Sequence, residues 1–162
     1  MNFATIFRLE ENLNLDKKTL VILRWIAIFG QLFSVNLVFF YLGLNFPILL
    51  CHIIIIVGLI SNLYLQFGLK ATLLKDLYST SFLMYDIIQL SVLLFLTGGI
   101  FNPFAILLIV PTIVSSTFLS MGSTIILGTS TIFLLFVLTF FNMPLPGMEE
   151  YILSFPNYYV TG

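Results

Sequence analysis

Leu96-Thr97-Gly98-Gly99-Ile100-Phe101-Asn102-Pro103-Phe104-Ala105 separates two long apolar runs, and its reading decides the fold. Gly98 and Gly99 favour the left-handed backbone that closes a helix C-terminus, and Asn102 before Pro103 is an N-cap with proline at the first helical position. A helix–turn–helix hairpin follows. Its arms, Ser79 to Thr97 and Pro103 to Leu119, approach the roughly 20 apolar residues that cross a bilayer. Leu20 to Leu42, Phe46 to Phe67 and Ser123 to Phe141 complete a set of five such runs.

Composition agrees. Of 162 residues 60% are hydrophobic and 8% charged, against roughly 25% charged in soluble domains; the mean hydropathy is +1.14. In lipid every backbone polar group must be satisfied internally, which leaves helices or a closed barrel, and the short alternating segments of a barrel are absent. The expected fold is an all-α membrane protein, a polytopic helical bundle. The first run is longer than a secretory h-region and lacks a cleavage signature, so it reads as a retained anchor. Cys51 is the one cysteine, which excludes an internal disulfide and a cysteine-based metal site. No catalytic or metal-ligating constellation is evident, and nothing points to a nucleic-acid partner.

The charges are asymmetric. Arg8, Lys17, Lys18 and Arg24 precede or open the first run, Lys70 and Lys75 follow the second, and no Lys or Arg comes later. Under the positive-inside rule both clusters, and the N-terminus, are cytoplasmic, while the Gly98–Asn102 turn and the segment from Asn142 are periplasmic. Residues 1–19 read as a cytoplasmic interfacial segment, 20–141 as the five-helix domain and 142–162 as a periplasmic segment. Gly68 to Thr80 is the one sizeable cytoplasmic loop, and Ser120 to Ser123 a tight turn around Gly122. Pro144, Pro146 and Gly147 are expected to end the fifth helix, with Glu149 and Glu150 beyond. Tyr151, Tyr158 and Tyr159 have the composition of an aromatic belt, which leads to the expectation of a sixth helix after residue 162.

Polar residues inside the apolar runs are the candidate functional groups. Pro103 to Leu119 gives about 25 Å of helix against a hydrocarbon core of about 30 Å, so the turn should dip toward the acyl boundary. There the Asn102 amide and the backbone N–H groups of Phe104 and Ala105 would meet a carbonyl oxygen, with Phe101 and Phe104 as flat apolar surface. A quinone head group fits that combination. His52 and Asn36 are possible secondary contributors at a similar depth. Arg24 and Asp86 are costly in lipid and are expected to form an intramembrane ion pair, with Gln89 one turn beyond Asp86. Gln31, Asn62, Ser115 and Ser116 read as interhelical contacts, with Gly30 and Gly58 allowing close approach. Two alternatives use the same residues differently: a small transporter or channel subunit with a path along Asp86, Gln89 and His52, and a lipid-modifying enzyme, for which Asp86, Glu149 and Glu150 are too sparse.

Gly98-Gly99-Ile100-Phe101-Asn102-Pro103-Phe104 resembles the GGxxNPF quinone-binding heptapeptide of the RegB/PrrB family of redox-responsive sensor histidine kinases, matching all five fixed positions. The resemblance extends to Leu23-Arg24-Trp25 with Gly30-Gln31, to Asp86-Ile87-Ile88-Gln89-Leu90, to Pro111 and to Met143-Pro144-Leu145-Pro146. It implies a sensor domain in the bacterial inner membrane that takes ubiquinone as a regulatory ligand at Gly98, Gly99, Phe101, Asn102, Pro103 and Phe104. It also implies a homodimer and a cytoplasmic response regulator as partner. The family's phosphoacceptor histidine, ATP-binding domain and redox cysteine would all follow a sixth helix. His52 lacks the acidic neighbour of a kinase histidine and Cys51 does not match the family's switch cysteine, so ATP and kinase activity are implied for a longer parent alone.

Overall fold

The computed structural model describes residues 15–41, 43, 45–70 and 72–143. Helix α1 (Lys17–Asn36) widens into a π-helical turn, Leu37–Tyr41, and α2 (Ile48–Leu63) into another, Tyr64–Gly68. α3 (Asp76–Leu96) leads through a short 3-10 turn, Gly99–Phe101, to a 3-10 helix, Pro103–Ile109. That helix continues as α4 (Val110–Phe118), and α5 (Met121–Phe140) follows. Lys17–Tyr41, Ile48–Gly68, Asp76–Leu96 and Met121–Phe140 are long and apolar enough to cross a membrane, and Pro103–Phe118 is a shorter apolar helix. The protein is an all-α, multi-pass membrane bundle.

Three contacts fix the direction of the helices. At one end Asp76, opening α3, accepts hydrogen bonds from Ser120 N (2.9 Å), Ser120 Oγ (2.9 Å) and Ser123 Oγ at the start of α5. At the other, Met143 N–H donates to Phe95 O at 2.9 Å. α3 and α5 therefore run parallel with α4 returning between them, and the Arg24–Asp86 and Gln31–Gln89 contacts, which follow the same order along both helices, set α1 parallel to α3.

The first helix starts three residues before its apolar run. Leu15–Asp16 (β1) pairs antiparallel with Leu73–Leu74 (β2), and Lys17 N–H donates to Thr72 O at 3.1 Å. The Lys17 ammonium then reaches Gln66 O (3.2 Å) and Leu69 O (2.6 Å), placing a cation on unsatisfied carbonyls at the end of the second span. Residues 17–19 thus belong to α1. Residues 1–14, with the interfacial segment, and residues 144–162, with Pro144, Pro146, Gly147, Glu149, Glu150 and the three tyrosines, lie outside the described residues.

The fourth span is half 3-10 because of Pro111. Proline has no N–H to donate, and its ring collides with the carbonyl four residues back, here Leu107. The chain ahead of it tightens, and Val110 N–H bonds Leu107 O in i→i−3 fashion. The result is a seven-residue 3-10 run where three or four is usual.

Membrane helices gain little from burying apolar surface against one another, so close packing and polar pairs join them. Ser115 Oγ meets Thr124 Oγ1 and Thr112 Oγ1 meets Thr131 Oγ1, both at 3.0 Å, tying α4 to α5; Asn62 Nδ2 donates to Val21 O at 3.4 Å. Two expected packing residues act otherwise. Ser116 bonds Ile113 O on its own helix, and a Cβ at Gly30 would meet nothing within 4 Å. The turn expected at Ser120 to Ser123 is also tighter: Ser120 accepts from Ser123 N as the N-cap, and Gly122 lies inside α5.

Candidate functional site

Gly98 (φ 101°) and Gly99 (φ 61°) are both left-handed, a region in which a side chain is strained. At Gly99 space adds a second reason, since a Cβ would fall 2.9 Å from Leu138 O and 2.5 Å from the Asn142 Cβ. The pair of glycines therefore closes α3 and lets the turn press against the end of α5.

Asn102 is the brace of the hairpin. Its Oδ1 accepts from Phe104 N at 2.9 Å, and its Nδ2 donates to Thr97 O at 3.0 Å and Thr97 Oγ1 at 2.8 Å. Asn102 O accepts from Ala105 N at 2.9 Å. Thus the three donors expected to face a ligand, the Asn102 amide and the Phe104 and Ala105 N–H groups, are all engaged within the turn. Pro103 sits at the helix start, where a missing N–H costs nothing. Phe101 is exposed on the outer surface, and Phe104 is half-buried.

Phe104 and Asn102 face a narrow cleft, open at one side, between α1, α3 and the 3-10 helix. α1 contributes Gln31, Ser34 and Val35 and its π-helical turn Val38, α3 contributes Leu90, Leu93 and Leu94 with Thr97 just past its end, and the 3-10 helix adds Leu107. The first and third spans each supply residues at i, i+3, i+4 and i+7, one stripe of a helical face. Sequence reasoning took Gln31 as an interhelical contact and passed over Ser34; the matching stripes were the available signal.

Deeper in the bundle several polar side chains pair, while Arg24 Nη1, Asn62 Oδ1 and Ser79 Oγ are buried without a hydrogen-bond partner among the described residues. Gln89 Nε2 donates to Gln31 Oε1 at 3.0 Å, and Gly58 on α2 makes room for the Gln89 amide, which a Cβ there would overlap. One turn along α3, Asp86 Oδ1 lies 2.9 Å from Arg24 Nη2 and accepts from Arg24 Nε at 3.0 Å, while Nη2 also donates to Ser61 Oγ at 3.1 Å. The Arg24 guanidinium sits over the rings of Phe82 (5.2 Å) and Tyr85 (5.6 Å). A second cleft of about 500 Å³, lined by Ser61, Tyr78, Ser81, Phe82 and Tyr85, lies on this side.

His52 and Asn36 come together, but away from the cleft. Asn36 Nδ2 lies 3.4 Å from His52 Nε2 and donates to Leu32 O at 2.7 Å, and His52 Nδ1 lies 2.9 Å from Ile48 O. With a proton on Nδ1 facing Ile48 O, Nε2 accepts from Asn36 Nδ2. Asp86, Gln89 and His52, the residues a transport path would use, are each held by a neighbour.

No family model matches the chain, and no solved structure is significantly similar to it. Over 146 residues, 90% of the chain, it is 36% identical to the sensor histidine kinase RegB of Cereibacter sphaeroides. The chain is a relative of RegB. A second RegB sequence of that species is 36% identical over 75 residues, 46% of the chain and 16% of that protein. The longer match covers 32% of RegB, so the chain spans about a third of the length of its relative. RegB similarity and a bundle of bilayer-length helices together make this a membrane domain of the sensor-kinase type.

Proposed function

We propose that this RegB relative is the membrane input domain of a sensor histidine kinase and that it reports the redox state of the ubiquinone pool. The observation that carries the reading is the cleft beside the Gly98–Phe104 turn. In this reading a lipid-soluble ligand reaches it from the bilayer; its walls are mostly aliphatic with four polar residues, and Phe104 offers a ring face. Its residues come from α1, α3 and the 3-10 helix, so occupancy bears on how three elements pack. In this reading the long 3-10 run is the element that changes state, since converting it to α would shorten it from about 2.0 to about 1.5 Å per residue. A ligand that fits one arrangement better than the other shifts their populations, and α4 passes the shift to α5 through the Ser115 and Thr112 pairs.

In this reading Gly98, Gly99, Asn102 and Pro103 shape the site, Phe104 touches ubiquinone, and Phe101 faces the incoming lipid. The end bearing Lys17, Lys18, Lys70 and Lys75 is cytoplasmic and the turn periplasmic. This reading assigns ATP binding, autophosphorylation, dimerisation and transfer to a response regulator to none of the described residues.

The test is a titration of the 162-residue chain in nanodiscs with ubiquinone, wild type against Val38→Phe, which fills the cleft from α1. Saturable binding lost in the variant at unchanged helix content is expected. Equal partition into both proteins would overturn the reading.

A further inference from the structure

The structure assigns a ligand to the second cleft: one anionic phospholipid from the leaflet at the lysine-bearing end of the bundle. Three residues that line this cleft, Ser61, Phe82 and Tyr85, also surround the Arg24 guanidinium. That group is a planar fork of five N–H donors. Its Nε and Nη2 edge is spent on Asp86, and Nη2 also reaches Ser61, whereas Nη1 is buried without a hydrogen-bond partner among the described residues. Nη1 shares the tip of the fork with Nη2, so its donors lie on the Ser61 side, at the wall of the cleft. Asp86 already balances the Arg24 charge, and the group that completes the fork is therefore an uncharged acceptor such as an ester carbonyl.

The rest of the cleft fits the molecule that carries such a carbonyl at this depth. Lys75, the N-cap of α3, is followed by Tyr78, Phe82 and Tyr85 at steps of three, four and three residues, which share one face of the helix. Tyr78 and Tyr85 are about 10 Å apart along the axis at 1.5 Å per residue. Lys75 and Tyr78 are both exposed, and the Lys17 ammonium on Gln66 O and Leu69 O marks the polar boundary at the same end. A phosphate therefore sits at Lys75 and the Tyr78 hydroxyl, a glycerol ester lies deeper at Ser61 and Arg24 Nη1, and an acyl chain follows Phe82. Lys70 and Lys75, both exposed at this end, select an anionic head group over a zwitterionic one.

The experiment is native mass spectrometry of the 162-residue chain in detergent, titrated with phosphatidylglycerol and with phosphatidylcholine of the same acyl chains. Wild type is compared with Ser81→Trp, Lys75→Gln, Arg24→Lys and Val38→Phe. Wild type is expected to retain one phosphatidylglycerol about fivefold more tightly than phosphatidylcholine, the contribution of one lysine beside an anionic head group. Ser81→Trp, at an exposed residue lining the cleft, should abolish retention of both lipids at unchanged helix content. Lys75→Gln should remove the fivefold preference alone. Arg24→Lys keeps a charge for Asp86 but has no fork, so it should weaken both lipids; if it loses helix content, Ser81→Trp and Lys75→Gln decide. Val38→Phe, which fills the first cleft, should retain lipid as wild type does. Equal retention by wild type and folded Ser81→Trp, no preference between the two lipids in wild type, loss of lipid in Val38→Phe, or displacement by excess ubiquinone would each overturn the assignment.

Discussion

Arg24 Nη2 and Asp86 Oδ1 lie 2.9 Å apart between α1 and α3, with Arg24 only 3% exposed. The pair is inserted where lipid offers no counter-charge, so each residue is the other's condition for being there. Removing one partner leaves an uncompensated buried charge, which costs about 3–5 kcal/mol, whereas replacing both by apolar groups of similar size is far milder. Asp86→Leu alone should therefore lower thermal stability in detergent sharply, and Arg24→Met with Asp86→Leu should recover most of the loss. A double variant no better than either single one would mean the pair contributes nothing to packing.

The hairpin carries a graded expectation. Asn102→Ala removes the cap on Phe104 N and both bonds to Thr97, a loss of about 1–2 kcal/mol. Asn102→Asp keeps the acceptor for Phe104 N but cannot donate to Thr97, so it should fall between wild type and Asn102→Ala. Hydrogen exchange of the Phe104 amide reads this directly, with protection in the order Asn, Asp, Ala.

Gly99→Ala places a methyl group against Asn142 and Leu138 O in a backbone region side chains avoid. It should cost more than 1 kcal/mol on the scale of incompatible glycine replacements. Gly122→Ala, which meets only Ser120 Oγ at 3.9 Å, should be tolerated or mildly stabilising. Thermal unfolding of the two variants side by side checks the contrast.

Asp76 ties the start of α3 to the start of α5 by three hydrogen bonds from two serines. Asp76→Ala leaves Ser120 N without its carboxylate partner and should destabilise the α4–α5 hairpin by about 2 kcal/mol, as bonds to a charged group do. Proteolysis at the turn near Ser120 should then accelerate; an unchanged cleavage rate would show that Ser120 capping of α5 suffices.

Four spans were legible because each is a run of bilayer length, and the Asn-Pro punctuation placed the start of the shorter helix after α3 at Pro103, with the end of α3 one residue before the expected Thr97. The pairing of Arg24 with Asp86 could be anticipated from cost alone, since lipid leaves such groups few other options. Pairing of Leu15–Asp16 with Leu73–Leu74 could not be read, for two-residue strands carry no periodic signal and depend on the α1–α2 hairpin to bring them together. The Pro111 effect was hidden for a different reason: proline in a membrane helix forces a kink, a break or a tighter helix, and the neighbours choose. At the turn, motif and chemistry point apart. Asn102 has the right atoms to donate to a ligand, but its own hairpin uses them first, and the other polar residues lining the cleft, Gln31 and Ser34, come from α1.

The most direct measurement is photo-crosslinking with an azido-ubiquinone in nanodiscs, mapped by mass spectrometry with and without excess ubiquinone. The expected result is competed labelling within residues 31–38, 90–97 and 104–107, absent in Val38→Phe. Labelling that excess ubiquinone does not compete, or that centres on Tyr78, Phe82 and Tyr85 around the second cleft, would contradict the account.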